Sequence, residues 1–223
     1  MNKKIPLYCI TGLGLDHRLF GKLNLPSAEL HPIDWIKPEG KETIKDYAKR
    51  LASVIPEDEE VSLLGVSLGG IMSIEIAQIR KVKKLYLIST VKSAAEMPKY
   101  MAWLDRLPEQ SKTAAKFAIE ASITLKPFYD RATAEGNELF HKMVRSANID
   151  FINWGVKAIA KWKGIEALET PFLHLHGTED LVFPIKNIDQ ALTIKGGTHY
   201  TIYNEAEKIS NIVEKDLRLE LTK

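Results

Sequence analysis

Two hydrophobic periods divide the chain. Short, nearly unbroken apolar runs occur at 4–10, 29–35, 85–89, 171–176 and 191–194, with another beginning at Val61. Runs of this length bounded by turn residues read as strands buried on both faces. Between them, apolar residues recur every three or four positions. Residues 43–55 place Ile44, Tyr47, Ala48, Leu51 and Val54 on one helical face. Residues 204–217 do the same with Ile209, Ile212, Val213 and Leu217. Shorter helical stretches are expected at 16–22, with Asp16 as N-cap, and at 184–188. The residues after Gly70 continue at a helical period to about position 79.

Strand alternating with helix argues for a parallel sheet covered on both sides. That alternation stops after the run at 85–89. Over 92–168 only helical periodicity remains, with helices expected at 97–107, 111–125, 132–147 and 150–162, punctuated by Pro98, Pro108, Pro127 and Gly136. The expected organisation is a discontinuous core, 1–91 with 169–223, and a helical insertion at 92–168. The insertion is rich in Met97, Tyr100, Met101, Trp103, Phe117, Phe128, Tyr129, Phe140, Met143, Phe151, Trp154 and Trp162. Most of these should pack in a core, and a few should line a pocket.

The run from Val61 ends in Gly65-Val66-Ser67-Leu68-Gly69-Gly70. G-x-S-x-G between a strand and a helix is the sequence of a sharp turn that lifts a serine hydroxyl above the sheet edge. Small residues two before and two after the serine suit the strained backbone, and the helix N-terminus favours developing negative charge. Alone, so short a motif does not separate a nucleophile from a turn that happens to hold serine. Its meaning depends on a base, an acid and an oxyanion site elsewhere.

A serine hydroxyl needs an adjacent base, and the base needs an acid to hold its tautomer. In a parallel sheet all three come from loops at the carboxyl ends of strands. His199 stands in such a loop, behind Gly196 and Gly197, and Asp180 ends the loop begun by Gly177. The order Ser67, Asp180, His199 is the one this strand–turn–helix context uses. Rival bases are His174 and His176, which share one face of a strand and read as buried structural residues. His17 could edge the pocket, and His31 and His141 have no supporting context. Rival acids are Glu179, Asp189 and Glu96, and a turn or N-cap role for Asp180 stays open. Backbone N–H groups of Leu13, between Gly12 and Gly14, and of Leu68 are the expected oxyanion donors. Gly12-Leu13-Gly14 is not read as a dinucleotide loop, because no third glycine follows at the right spacing.

Composition narrows the class. The chain has 223 residues, 45% hydrophobic and 27% charged, with a formal net charge of +2. That balance does not argue for nucleic acid or an anionic membrane. The densest basic run, Arg80-Lys81-Val82-Lys83-Lys84, reads as a solvated loop. Cys9 is the single cysteine, so no intrachain disulfide can form, and its apolar surroundings make it a core residue. A cytoplasmic location is expected. The apolar run after Lys3-Lys4 is too short and too soon broken by Gly12 and Gly14 to read as a signal peptide, and no membrane span is expected.

Four segments together resemble the α/β-hydrolase superfamily. They are Gly12-Leu13-Gly14, Gly65 to Gly70, His176-Gly177-Thr178-Glu179-Asp180 with Pro184, and Gly196-Gly197-Thr198-His199. With Asp16, Arg18, Phe20, Trp35-Ile36 and Tyr47-Ala48, the chain looks closest to compact bacterial members of undefined substrate. The resemblance implies about six mainly parallel strands, starting at the strand that bears the glycine loop, with 92–168 as the variable cap. It departs at Thr11, where many relatives carry histidine. It implies a serine hydrolase acting on an ester or thioester small molecule: Ser67 as nucleophile, His199 as general acid/base, Asp180 as its orienter, Leu13 and Leu68 as oxyanion donors. Gly12, His17 and Arg18 are expected at the pocket, and no metal or organic cofactor is implied. Two other readings stay open. One is a C–C hydrolase or lyase in which Arg18 holds a substrate carboxylate. The other is a non-catalytic ligand-binding scaffold. Oligomeric state is not specified.

Overall fold

The computed structural model describes residues 4–101, 106, 120 and 133–222. The strands are β1 (Ile5–Ile10), β2 (Ala28–Ile33), β3 (Val61–Val66), β4 (Val82–Ile88), β5 (Phe172–Gly177) and β6 (Leu192–Ile194). They pair in parallel throughout, in the order β2-β1-β3-β4-β5-β6. The chain steps from β1 outward to β2, then crosses back to β3 on the other side of β1. This reversal opens a crevice at the carboxyl ends of β1 and β3, where open α/β sheets place their sites.

The helices are α1 (Ile44–Leu51), α2 (Leu68–Ala77), α3 (Ala134–Ser146), α4 (Ile149–Lys161), α5 (Thr201–Asn204) and α6 (Ala206–Leu221). Thr43 starts α1 with a reciprocal cap: its hydroxyl accepts from Asp46 N–H, and the Asp46 carboxylate accepts from Thr43 N–H. The chain then tightens into a 3-10 turn over Ala52–Val54. The change from 3.6 to 3.0 residues per turn rotates Val54 off the apolar face expected for it, and it is exposed. Helix α2 is buried almost all round. Ile71, Met72, Ile74 and Ile76 join Leu63, Leu85 and Leu87 in one core layer, while Cys9, Leu64, Tyr86, Ile209, Val213 and Leu217 belong to the other.

The segment between β4 and β5 leaves and returns at one place, where Ser93 and Gly164 form an antiparallel bridge. Its described helices share the sheet's cores: Phe151, Ala158, Ile159 and Trp162 pack in the α2 layer and Met143 in the other. Two tryptophans tie it down. Trp162 Nε1 donates to Glu75 Oε1 on α2 at 2.7 Å, and Trp154 Nε1 donates to Glu42 O at 3.0 Å while its ring stacks on Tyr47. Of the helix expected over 111–125 only Glu120 is described, and 102–105 and 107 of that expected over 97–107, with Trp103, Phe117, Phe128 and Tyr129, lie outside the described residues.

The basic run at 80–84 is not a solvated loop. Pairing of β3 with β4 begins at Val61↔Val82, so its second half is strand. The cause is α6, which lays carboxylates beside it: Lys84 Nζ lies 2.7 Å from Asp216 and Lys83 Nζ 3.3 Å from Glu220. The buried Tyr86 hydroxyl also donates to Asp216, at 2.9 Å, and its ionisation is pushed up by burial and by that carboxylate. Asp216→Ala leaves this hydroxyl without its acceptor. It should cost about 1–3 kcal/mol of stability, read as a lower denaturation midpoint with an unchanged slope.

Candidate active site

Ser67 occupies φ 53° and ψ −119° between β3 and α2. A non-glycine residue at positive φ is strained and persists only where its surroundings over-determine it. Here they do. Ser67 N–H donates to Ile88 O at 3.0 Å, and Ser67 O accepts from Gly70 N–H and from the Thr90 hydroxyl, the latter at 2.6 Å. The flanking glycines serve close approach. A Cβ on Gly65 would lie 2.4 Å from Gly69 O, one on Gly69 2.1 Å from Ile10 O, and one on Gly70 2.5 Å from Thr90 Cγ2. Thr90 was not singled out by the sequence, because a threonine after a strand carries no motif.

Above this turn the loops after β5 and β6 lock together. A Cβ on Gly177 would lie 2.2 Å from Gly197 O, and Glu179 N–H donates to that same carbonyl at 2.8 Å. This contact brings Asp180 to His199. His199 Nδ1 lies 2.8 Å from Asp180 Oδ2, and His199 Nε2 lies 3.0 Å from Ser67 Oγ. Asp180 is buried, and its Oδ1 accepts from Val182 N–H and Phe183 N–H at 2.8 Å each. Burial opposes its charge, yet the neighbouring His199, the His176 side chain and these N–H groups hold the carboxyl below the usual carboxylate range. With an anion on Nδ1, that nitrogen carries the proton and Nε2 is free to accept from the serine. The arrangement can take a proton from Ser67 Oγ and return it.

The rivals are accounted for. Glu96 pairs with Lys92 (2.6 Å), Glu179 is exposed, and Asp189 accepts from Gln190 N–H. His31 stacks on Tyr8. His174 and His176 are buried, with His176 Nε2 3.3 Å from Asp180 Oδ2 and His176 Nδ1 3.4 Å from His174 Nε2.

The turn after β1 is closed by Leu15 N–H to Gly12 O (3.1 Å) and by the Thr11 hydroxyl to Leu15 O (2.9 Å). The residue in the place of the relatives' histidine therefore clamps the glycine loop. Leu13 lies within that turn. Leu68 is the first residue of α2, a position whose N–H has no acceptor within its helix.

A cavity of about 250 Å³ opens at Ser67 and His199. Gly12, Leu13 and Val66 form its floor side, and Phe140, Val156 and Ile159 come from α3 and α4. His17 and Arg18, expected at this pocket, do not line it. Asp16 caps the 3-10 turn that carries them and binds Arg18 through both carboxylate oxygens, at 2.8 and 2.6 Å. His17 faces Asp34 at 3.9 Å. Asp16 and Asp34 line a separate cavity of about 220 Å³, which shares Thr11, Gly14 and Leu15 with the glycine loop but contains neither Ser67 nor His199. A short loop after a glycine turn can point to either side, and only the cap geometry decides.

One buried base has a thermodynamic signature. Burial, the Lys92 ammonium and His176 push the His174 ring from 6.5 down to about 2. Between those values the unfolded chain binds a proton that the folded chain does not. Stability from this ring is therefore complete above about pH 6.5 and lost as pH falls. Its slope should approach about 1.4 kcal/mol per pH unit. His174→Phe should flatten the dependence between pH 4 and 6.5 relative to the native protein in chemical denaturation.

No protein-family model matches the sequence, and no curated protein matches it. Solved structures do match in fold. A thermophilic esterase from Thermogutta terrifontis aligns with TM-score 0.71 at 17% identity, covering 100% of this chain and 92% of that one. An esterase from Exiguobacterium antarcticum aligns with TM-score 0.71 at 19% identity, covering 98% and 93%. A bromoperoxidase from Bacillus anthracis aligns with TM-score 0.71 at 16% identity, covering 97% and 93%. Among the described residues no helix is long and apolar enough to cross a membrane. Six parallel strands in this order, the crossing between β1 and β3, and these alignments give the chain the α/β-hydrolase fold.

Proposed function

We propose that the protein is a serine hydrolase that cleaves a carboxylic ester or thioester of a small molecule through an acyl-enzyme. The observation that carries the reading is the pair of contacts at His199: 3.0 Å to Ser67 Oγ and 2.8 Å to Asp180 Oδ2. Ser67 Oγ attacks the carbonyl carbon and its proton passes to His199 Nε2. The tetrahedral oxyanion is taken by the N–H groups of Leu13 and Leu68. The C–O or C–S bond breaks as His199 returns the proton to the leaving alcohol or thiol. Water then repeats the sequence on the acyl-enzyme, with His199 as base and Ser67 as leaving group. Asp180 stays ionised throughout, because its carboxyl is held below the usual range.

The lining of the cavity supports an apolar acyl group, since Leu13, Val156, Ile159 and Phe183 surround the serine. We assign residues 92–168 the role of a cap, whose helices supply part of that wall. The esterases that share the fold support the ester reading, as names of those proteins. The carboxylate-bearing alternative depended on Arg18, whose guanidinium is engaged by Asp16, so no observation favours it.

A fluorophosphonate probe should label the native protein, and labelling should vanish in Ser67→Ala and His199→Ala. On a panel of acyl esters each variant should lose at least about 10³-fold in kcat/KM. Absence of labelling in the folded native protein would overturn the mechanism and leave the ligand-binding scaffold.

A further inference from the structure

Behind the triad, polar side chains continue inward instead of giving way to an apolar core. His176 Nε2 lies 2.7 Å from Phe183 O and 3.3 Å from Asp180 Oδ2. His176 Nδ1 lies 3.4 Å from His174 Nε2, and His174 Nδ1 lies 3.1 Å from Lys92 Nζ. Lys92 Nζ also donates to Glu96 Oε1 and to Asp189 O, each at 2.6 Å. Both histidines and Glu96 are buried, and the Lys92 side chain is 11% exposed.

The donor and acceptor inventory gives this chain one direction. An ammonium can only donate, so His174 Nδ1 accepts and its proton sits on Nε2. A carbonyl and a carboxylate can only accept, so His176 Nε2 carries the proton and its Nδ1 accepts from His174. The Lys92 ammonium has three N–H groups and three partners: Glu96, Asp189 O and His174. The Asp180 carboxylate receives two backbone N–H groups on Oδ1 and His199 on Oδ2, and His176 Nε2, hydrogen-bonded to Phe183 O, lies 3.3 Å from that same Oδ2. Reversing His174 would set a proton against Lys92, and reversing His176 would set a bare nitrogen lone pair against the acceptors at the other end.

We propose that His176 is a positioning residue for Asp180, and that Lys92, acting through His174, sets the ring tautomer in which His176 donates to that carboxylate. This rests on the hydrolase reading above. The charged end of the chain lies where 92–168 leaves the sheet, since Lys92 and Glu96 flank the Ser93–Gly164 bridge. Removing the His176 donor makes the Asp180 carboxylate a stronger acceptor for His199, which favours protonated His199. Other groups facing these residues are Tyr100, whose hydroxyl donates to Val182 O and feels Asp180, the Thr90 carbonyl at His174, and the Phe183 ring edge at His199.

The test is ring-nitrogen NMR of the native protein, then of His176→Leu and His176→Gln. Native His174 and His176 should both be neutral with the proton on Nε2. A proton on Nδ1 of either ring overturns the chain. The His199 titration midpoint, followed by its own ring resonances, should rise by roughly half a pH unit or more in His176→Leu. It should return toward the native value in His176→Gln, whose amide N–H can replace Nε2–H. An unmoved midpoint, or equal movement in both variants, overturns the positioning role. A packing role alone would lower stability without this split. Should His176→Leu fail to fold, the double variant Lys92→Met with Glu96→Gln removes both charges of the pair together. Mixed tautomers at His174 and His176 are then expected, and unchanged ones overturn the role of Lys92. None of these readouts needs turnover, so loss of probe labelling in the native protein would strike the hydrolase reading separately.

Discussion

The site depends on one steric fact: α2 enters the sheet edge so closely that its first turn touches the end of β1. Gly69 sits where any side chain would strike the carbonyls of Ile10 and Thr11. That approach leaves no slack for Ser67, which is forced to positive φ and fastened through its own N–H and C=O to Ile88 and Thr90. The same contact sets the distance between the serine and the glycine loop after β1. Ser67 and Leu13, the proposed nucleophile and the proposed oxyanion donor in that loop, are thus held relative to each other by backbone packing. Strain at one residue is held by the burial of a whole helix, whose faces Leu63, Leu85 and Leu87 cover on one side and the 92–168 helices on another.

A second close backbone contact, Gly177 on Gly197, does for Asp180 and His199 what Gly69 does for Ser67. It places two loops from neighbouring strands in register. The carboxylate between them could not stay charged in that burial without donors, and three are supplied, with His176 3.3 Å away. The cost of burying polar groups is then passed inward, since each histidine under Asp180 needs a partner of its own. The sequence ends at Lys92 and Glu96, where an ion pair and the backbone of Asp189 complete it. Glu75 is handled in the same way on α2, where Trp162 supplies its donor.

Much of this was legible in the sequence, for physical reasons. Parallel strands buried on both faces must be short apolar runs, so β1, β3 and β5 could be read to within about a residue. The glycines at 65, 69, 177 and 197 stand where nothing larger fits, and their spacing to Ser67, Asp180 and His199 follows from the turns they permit. What was not legible depended on distant partners. The strand β4 starts three residues early because α6 brings Asp216 and Glu220 to Lys84 and Lys83. Arg18 turns from the pocket because Asp16 caps its turn and takes its guanidinium. His174 and His176 could be placed on one buried face, but no local pattern tells that a lysine 82 residues away completes their hydrogen bonds. Thr90 holds the serine through a single hydroxyl and left no signature at all.

The segment between β4 and β5 is less separable from the core than its sequence position suggests. A free-standing cap would carry its own apolar cluster, yet Phe151, Ile159 and Trp162 lie in the same layer as Leu63 and Ile71. Gly155 on α4 makes the link specific. A Cβ there would lie 2.4 Å from Leu13 Cδ1, so the helix passes directly over the side chain of a residue in the glycine loop. Ile152 on the same helix lies beside Gly14, 3.6 Å from where its Cβ would be. Helix α4 therefore lines the cavity with Val156 and Ile159 and presses on the loop at the cavity's edge in the next turn. The cavity wall beside Ser67 and the loop that holds Leu13, the proposed oxyanion donor, are parts of one packed unit. Residues chosen for one must satisfy the other.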